Sequence, residues 1–150
     1  MRRFAWRLQR LLDIKVKQED ALRGELVAVT EQVVALRGRL LMQRAALRRL
    51  LAGLEPDATE TWLERKRLAL RHASVTEQQL TEGRRRLEEL EQQRQRKMHE
   101  VMEVRKFRKR LERLRAQAYE DFMRRQEKRM QDETDDRTSV TVARRILSPA

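Results

Sequence analysis

The two histidines, His72 and His99, are the side chains most readily recruited to metal or proton chemistry, and they lie 27 residues apart. On one helix that separation is about 40 Å, so they share neither a metal ion nor a proton. The chain has no cysteine, which removes disulfides, thiolate metal sites and thiol nucleophiles from consideration. No glycine-rich phosphate loop, helical His-Glu-x-x-His pair or strand-turn-helix nucleophile elbow is present. The carboxylates alternate with Arg and Lys at helical spacing, the pattern of solvated salt-bridging faces. These residues point to a non-enzymatic protein with no cofactor and no metal.

What remains is charge and a few large apolar side chains. The 36 basic and 24 acidic residues leave a formal charge of +12. Residues 1–131 carry this excess, because residues 132–150 hold three basic and four acidic side chains. Such a charge selects acidic partners. Its densest run is Arg105-Lys106-Phe107-Arg108-Lys109-Arg110-Leu111-Glu112-Arg113-Leu114-Arg115, with seven basic residues against one acidic. Three readings stand side by side: a solvated helix flank, a protein-docking face and a nucleic-acid site. The last is the weakest, since aromatic residues for base stacking are not interleaved with the charge. Trp6 and Trp62 either cover the ends of a helical seam or anchor an interface.

The elements that must carry these residues are long helices. Only 39% of the 150 residues are hydrophobic and 4% aromatic, while 40% are charged, with four Gly and two Pro. That composition is typical of coiled coils and argues against a thick globular core. With Leu12 as position a of a heptad, alternating steps of three and four residues pass through Leu22, Leu26, Val29, Val33, Leu36, Leu40, Gln43, Leu47, Leu50 and Leu54. A seam of this period demands a partner helix. Gly24 and Gly38 both fall at position f, away from the seam.

Gly53-Leu54-Glu55-Pro56 is a stop signal, and Asp57 with Glu60, or Thr61 with Glu64, has capping-box spacing for a new start. A connection this short forces the two helices antiparallel. The expected fold is therefore all-α: an antiparallel coiled-coil hairpin over 1–137, with helix 1 over about 4–53, a turn at 54–57 and helix 2 over about 58–134. The seam of the second helix reads Leu63, Leu70, Ala73, Leu80, Leu87, Leu90, Val101, Val104, Phe107, Leu111, Leu114, Ala118 and Phe122, with slips of phase near 87–90 and 101–107. The first arm is expected to run out near residues 108–110. Phe122, Met123 and Met130 would then lie on an overhang of some 25 residues without a partner in the chain. Residues 138–150, rich in β-branched residues at first and with Pro149 near the end, read as a flexible tail.

The opening Phe4-Ala5-Trp6-Arg7-Leu8-Gln9-Arg10-Leu11-Leu12-Asp13-Ile14-Lys15-Val16-Lys17-Gln18-Glu19 resembles the start of the FliJ family of flagellar export proteins. Relatives of that family serve virulence-type (type III) secretion. Trp62 soon after the mid-chain turn, the basic stretch 105–115 and Arg125-Gln126-Glu127-Lys128-Arg129-Met130-Gln131-Asp132-Glu133 add to the likeness, which extends to about residue 137. The resemblance implies an antiparallel two-helix stalk whose helical ends enter the pore of a hexameric export ATPase and activate it. Its coiled coil would reach toward the membrane export gate, and some members also handle export chaperones. Carried over to matching positions, it implies that Arg7, Arg10, Lys15, Lys17, Arg124, Arg125, Lys128 and Arg129 face the ATPase, and that Leu51, Trp62 and Leu68 face the gate. Residues 138–150 have no counterpart in that pattern.

No segment has the run of roughly 20 apolar residues that spans a bilayer, and the charged N-terminus does not read as a secretory signal. The expected location is the cytoplasm, at the inner face of an export apparatus, with no membrane insertion. Two other classes compete with this reading. One is a basic coiled coil that binds nucleic acid, and the other is a purely structural coiled coil that pairs its seam between chains.

Overall fold

The computed structural model describes residues 3–56 and 61–148, and shows two long helices packed against each other, α1 (Gln9–Ala52) and α2 (Thr61–Leu147). They form two compact units, Glu19–Glu103 on one hand and Met1–Gln18 with Val104–Ala150 on the other. Among the described residues there is no strand.

In the unit Glu19–Glu103 the pairing is antiparallel: Glu25 meets Lys97, while Arg37, farther along α1, meets Glu91. Apart from the half-buried Thr30, the sheltered positions of α1 are Glu19, Leu22, Leu26, Val29, Val33, Leu36, Leu40, Gln43, Leu47 and Leu50, with Leu54 just past its end. They keep the three-four alternation read from the sequence. Val33 is fully enclosed, and Leu47, Ala73 and Leu80 form a buried cluster against which Leu40 packs. Gly24 and Gly38 have open space around them, as expected for position f.

The seam of α2 differs from its expected course. Its seam in this unit, all buried or half-buried, is Ala69, Ala73, Thr76, Leu80, Gly83, Leu87, Leu90, Arg94, Lys97 and Val101, an unbroken alternation with no slip of phase, with Trp62 and Glu91 half-buried outside it. Leu63 and Leu70, expected in the seam, are exposed. The apparent slip arises because Thr76, Gly83, Arg94 and Lys97 occupy seam positions, which a search for apolar side chains passes over. Each is accommodated individually. The Thr76 hydroxyl donates to the His72 carbonyl (2.9 Å), which satisfies a buried polar group. Gly83 receives Leu40, whose side chain occupies the space where a Cβ would stand.

Gly53 donates its N–H to the Arg49 carbonyl (3.0 Å), closing α1 without the positive φ expected of a glycine stop. The weak helix propensity of glycine and the ring of Pro56 are enough to end it. The expected Asp57–Glu60 cap and the helix start near 58 lie outside the described residues. Glu64 sits in the first turn of α2, where a carboxylate is favoured by the helix dipole.

In the other unit Leu12 and Leu111 are buried, and helix α1 begins at Gln9 rather than near residue 4. Residues 3–6 are not helical, and Gln9 N–H bonds back to the Trp6 carbonyl (3.1 Å). Lacking Ser, Thr, Asp or Asn to cap an earlier turn, this stretch packs through its aromatic side chain instead. The Phe4 ring lies edge-on to Tyr119 (centroids 5.3 Å, interplanar angle 87°) and tilted against Phe122 (5.4 Å, 59°). Phe122 therefore has a partner within the chain, contrary to the expected overhang from about 108. The sheltered positions of α2 here are Val104, Arg105, Arg108, Leu111, Ala118, Phe122 and Gln126, whereas Phe107 and Leu114 are exposed.

The flexible tail is also corrected. Residues 138–147 continue α2, and every residue from Glu127 to Ser148 is exposed. The hydroxyls of Thr134, Thr138 and Thr141 each donate to the carbonyl four residues earlier (2.8 Å). Their β-branched side chains cost only a few tenths of a kcal/mol each in helix propensity, and no glycine or proline interrupts the stretch before residue 149. Pro149 and Ala150 lie outside the described residues.

Candidate interaction surfaces

All eight basic residues that the resemblance singles out belong to one unit, Met1–Gln18 with Val104–Ala150. Arg7, Arg10 and Lys17 are exposed, while Lys15 is half-buried with its Nζ 5.0 Å from the centre of the Phe107 ring. That contact is a cation–π arrangement, which withdraws part of the Lys15 charge from an incoming ligand. Arg124, Arg125, Lys128 and Arg129 are exposed on α2. Arg125 Nε donates to the Asp121 carbonyl (3.1 Å), and Arg124 lies 3.8 Å from Glu120. The clasp of Phe4 on Phe122 brings residues 3–7 beside the start of this run.

The dense run 105–115 divides in two. Arg105 and Arg108 are half-buried, and Arg108 bonds Glu112 at 2.6 Å. Arg105 and Lys106 have further interactions of their own. Lys109, Arg110, Arg113 and Arg115 are exposed. Part of the run thus serves packing, and the charge open to a partner is smaller than the sequence count.

The three apolar residues near the turn belong to the other unit. Leu51 and Leu68 are exposed, at 43% and 70%, and Trp62 is half-buried. The Trp62 indole N–H donates to the Glu55 carbonyl (2.7 Å), and Lys66 Nζ stands 4.8 Å above its ring. Trp62 therefore secures the chain around the turn as well as offering a surface. Beside it, Leu50, Leu54, Leu68 and Ala69 line an open apolar groove edged by Arg49 and His72.

Two ion pairs between the helices carry information that the search for apolar positions missed. Arg37 pairs with Glu91, and Lys97 reaches Glu25 at 2.7 Å as well as Glu100 at 3.2 Å. The hydrogen bond with Glu25, then the one with Glu100, holds the Lys97 ammonium above its ordinary pKa of 10.5. The available signal was a lysine falling on the heptad position itself, which needs an acid on the facing flank.

Among the described residues no group of three His, Cys, Asp or Glu could hold a metal ion. No described helix is long and apolar enough to cross a membrane. Comparison with family models, with curated proteins and with solved structures returns no match.

Proposed function

We propose that the protein is a non-enzymatic stalk or adaptor of a type III protein export apparatus, flagellar or virulence-type. It binds and activates the hexameric export ATPase through its basic unit and links it to the membrane export gate through apolar residues near the turn. The observation that carries this reading is the bare part of α2. From Glu127 to Ser148 every residue is exposed, and Lys128 and Arg129 there, with the exposed Arg124 and Arg125 just before, belong to the unit that also bears Arg7, Arg10 and Lys17. A helix held out in solution with a basic face suits insertion into an acidic ring, where long-range attraction speeds the encounter. Together with the FliJ-like opening and C-terminal segment, this favours an ATPase partner. Leu51, Trp62 and Leu68 are the contacts assigned to the gate, and export chaperones are further candidate partners. The protein would act in the cytoplasm at the inner face of the membrane.

The double variant Arg124→Glu/Arg125→Glu tests the ATPase surface. Its affinity for the ATPase should fall by about tenfold or more, the effect of reversing interfacial charge, with helicity unchanged by circular dichroism. Unaltered capture in a pull-down rejects the assignment. Binding of single-stranded nucleic acid that falls steeply with salt would instead favour the nucleic-acid alternative.

A further inference from the structure

The outer face of α1 carries a second heptad that the hairpin leaves open. Gly24, Val27, Glu31, Val34, Gly38, Leu41 and Ala45 follow the same three-four alternation as the buried seam, but on the opposite side of the helix. Val27, Val34 and Leu41 are 56%, 62% and 67% exposed, and Met42 beside them 76%. A solvated face is ordinarily polar at such positions. Here Glu31 is the only charged residue of the seven. Nothing approaches within 4 Å of the space a Cβ would fill at Gly24 or Gly38, so another helix could come close to the backbone there.

The charges around this stripe identify its occupant. Asp20, Glu25 and Glu31, with the single Arg23 among them, lie toward one end, and five arginines from Arg37 to Arg49 lie toward the other, all exposed. A parallel copy would set like against like. An antiparallel copy, turned about a two-fold axis beside Val34 and Ala35, lays the acidic end of each stripe over the basic end of the other. Self-complementarity of this kind is what an isologous dimer requires. We infer that the outer stripe of α1 is a homodimerisation surface, on which a second copy of this chain packs its own α1 antiparallel, giving a four-helix arrangement with both hairpins intact.

Sedimentation velocity of the full chain across a wide concentration range tests this, with Val34→Glu and with charge reversals at the two ends. The unaltered chain should pass from monomer to dimer as concentration rises. Val34→Glu should remain monomeric at every concentration with unchanged helicity, since Val34 is exposed in the hairpin. Asp20→Arg with Glu31→Arg should weaken dimerisation by at least about tenfold, and adding Arg48→Glu with Arg49→Glu should restore it. A chain that stays monomeric throughout overturns the inference. So does a dimer insensitive to Val34→Glu, which would be a swapped hairpin pairing the inner seams.

Discussion

The two compact units solve the same problem with different materials. In Glu19–Glu103 two helices meet along a leucine- and valine-rich seam, ten alternating positions deep on α2, with Ala69, Ala73 and Gly83 making room for large side chains opposite. In the other unit the seam residues of α2 include Arg108, the partner segment stops being helical at its start, and Phe4 closes the packing against Tyr119 and Phe122. From Glu127 to Ser148 every residue of the chain is exposed. The first arrangement invests in burial and register. The second leaves a long stretch of charged helix accessible, which is what a docking element needs and a purely structural rod does not.

If the contrast is correct, the largest effect comes from breaking the first seam. Val33→Asp places an unpaired carboxylate at the most enclosed position among the described residues, and should cost more than about 3 kcal/mol. Urea unfolding followed by circular dichroism would show it as a lost or strongly shifted transition. Gly83→Ala comes next. The added methyl collides with Leu40, and overpacking of this kind costs about 1–3 kcal/mol, partly offset by the better helix propensity of alanine. Combining it with Leu40→Ala should give less than the sum of the two single effects, a coupling absent if the contact is incidental.

Phe4→Ala probes the second unit. Removing the ring deletes two aromatic contacts worth about 0.5–1.5 kcal/mol each. Amide hydrogen exchange should therefore quicken over residues 9–12 while residues 26–47 keep their protection. Equal acceleration in both stretches would show that the units do not differ as described. The smallest change is favourable: Gly24→Ala and Gly38→Ala should each stabilise the hairpin by about 0.5–1 kcal/mol, visible as a raised unfolding midpoint.

Much of the fold was legible because heptad spacing is a strong constraint. The α1 seam from Leu22 to Leu54 lies where the three-four pattern places it. The α2 seam was legible only in part, because period and polarity disagree there. Its register is kept by Thr76, Gly83, Arg94, Lys97 and Arg108, residues whose type says solvent while their position says core. Apolar Leu63, Leu70, Phe107 and Leu114, chosen in their place, are exposed. The clasp of Phe4 was hidden for another reason. It depends on a non-helical segment whose reach is greater per residue than that of a helix, so counting helical turns ended the first arm too early. The helical continuation through Leu147 was missed because β-branched residues were weighed by propensity alone, without the hydroxyl bonds back along the helix. Of the candidate surfaces, the residue types were readable, but the partners of Arg105, Arg108 and Trp62 were not, and those partners decide how much of each side chain is left for binding.

The most direct test of the functional account is ATP hydrolysis by a purified type III export ATPase from the same organism, measured with and without the full chain at physiological salt. The account predicts stimulation that saturates with added protein and is lost in Arg124→Glu/Arg125→Glu. Hydrolysis that is unchanged at saturating concentrations, with no complex formed, would contradict it.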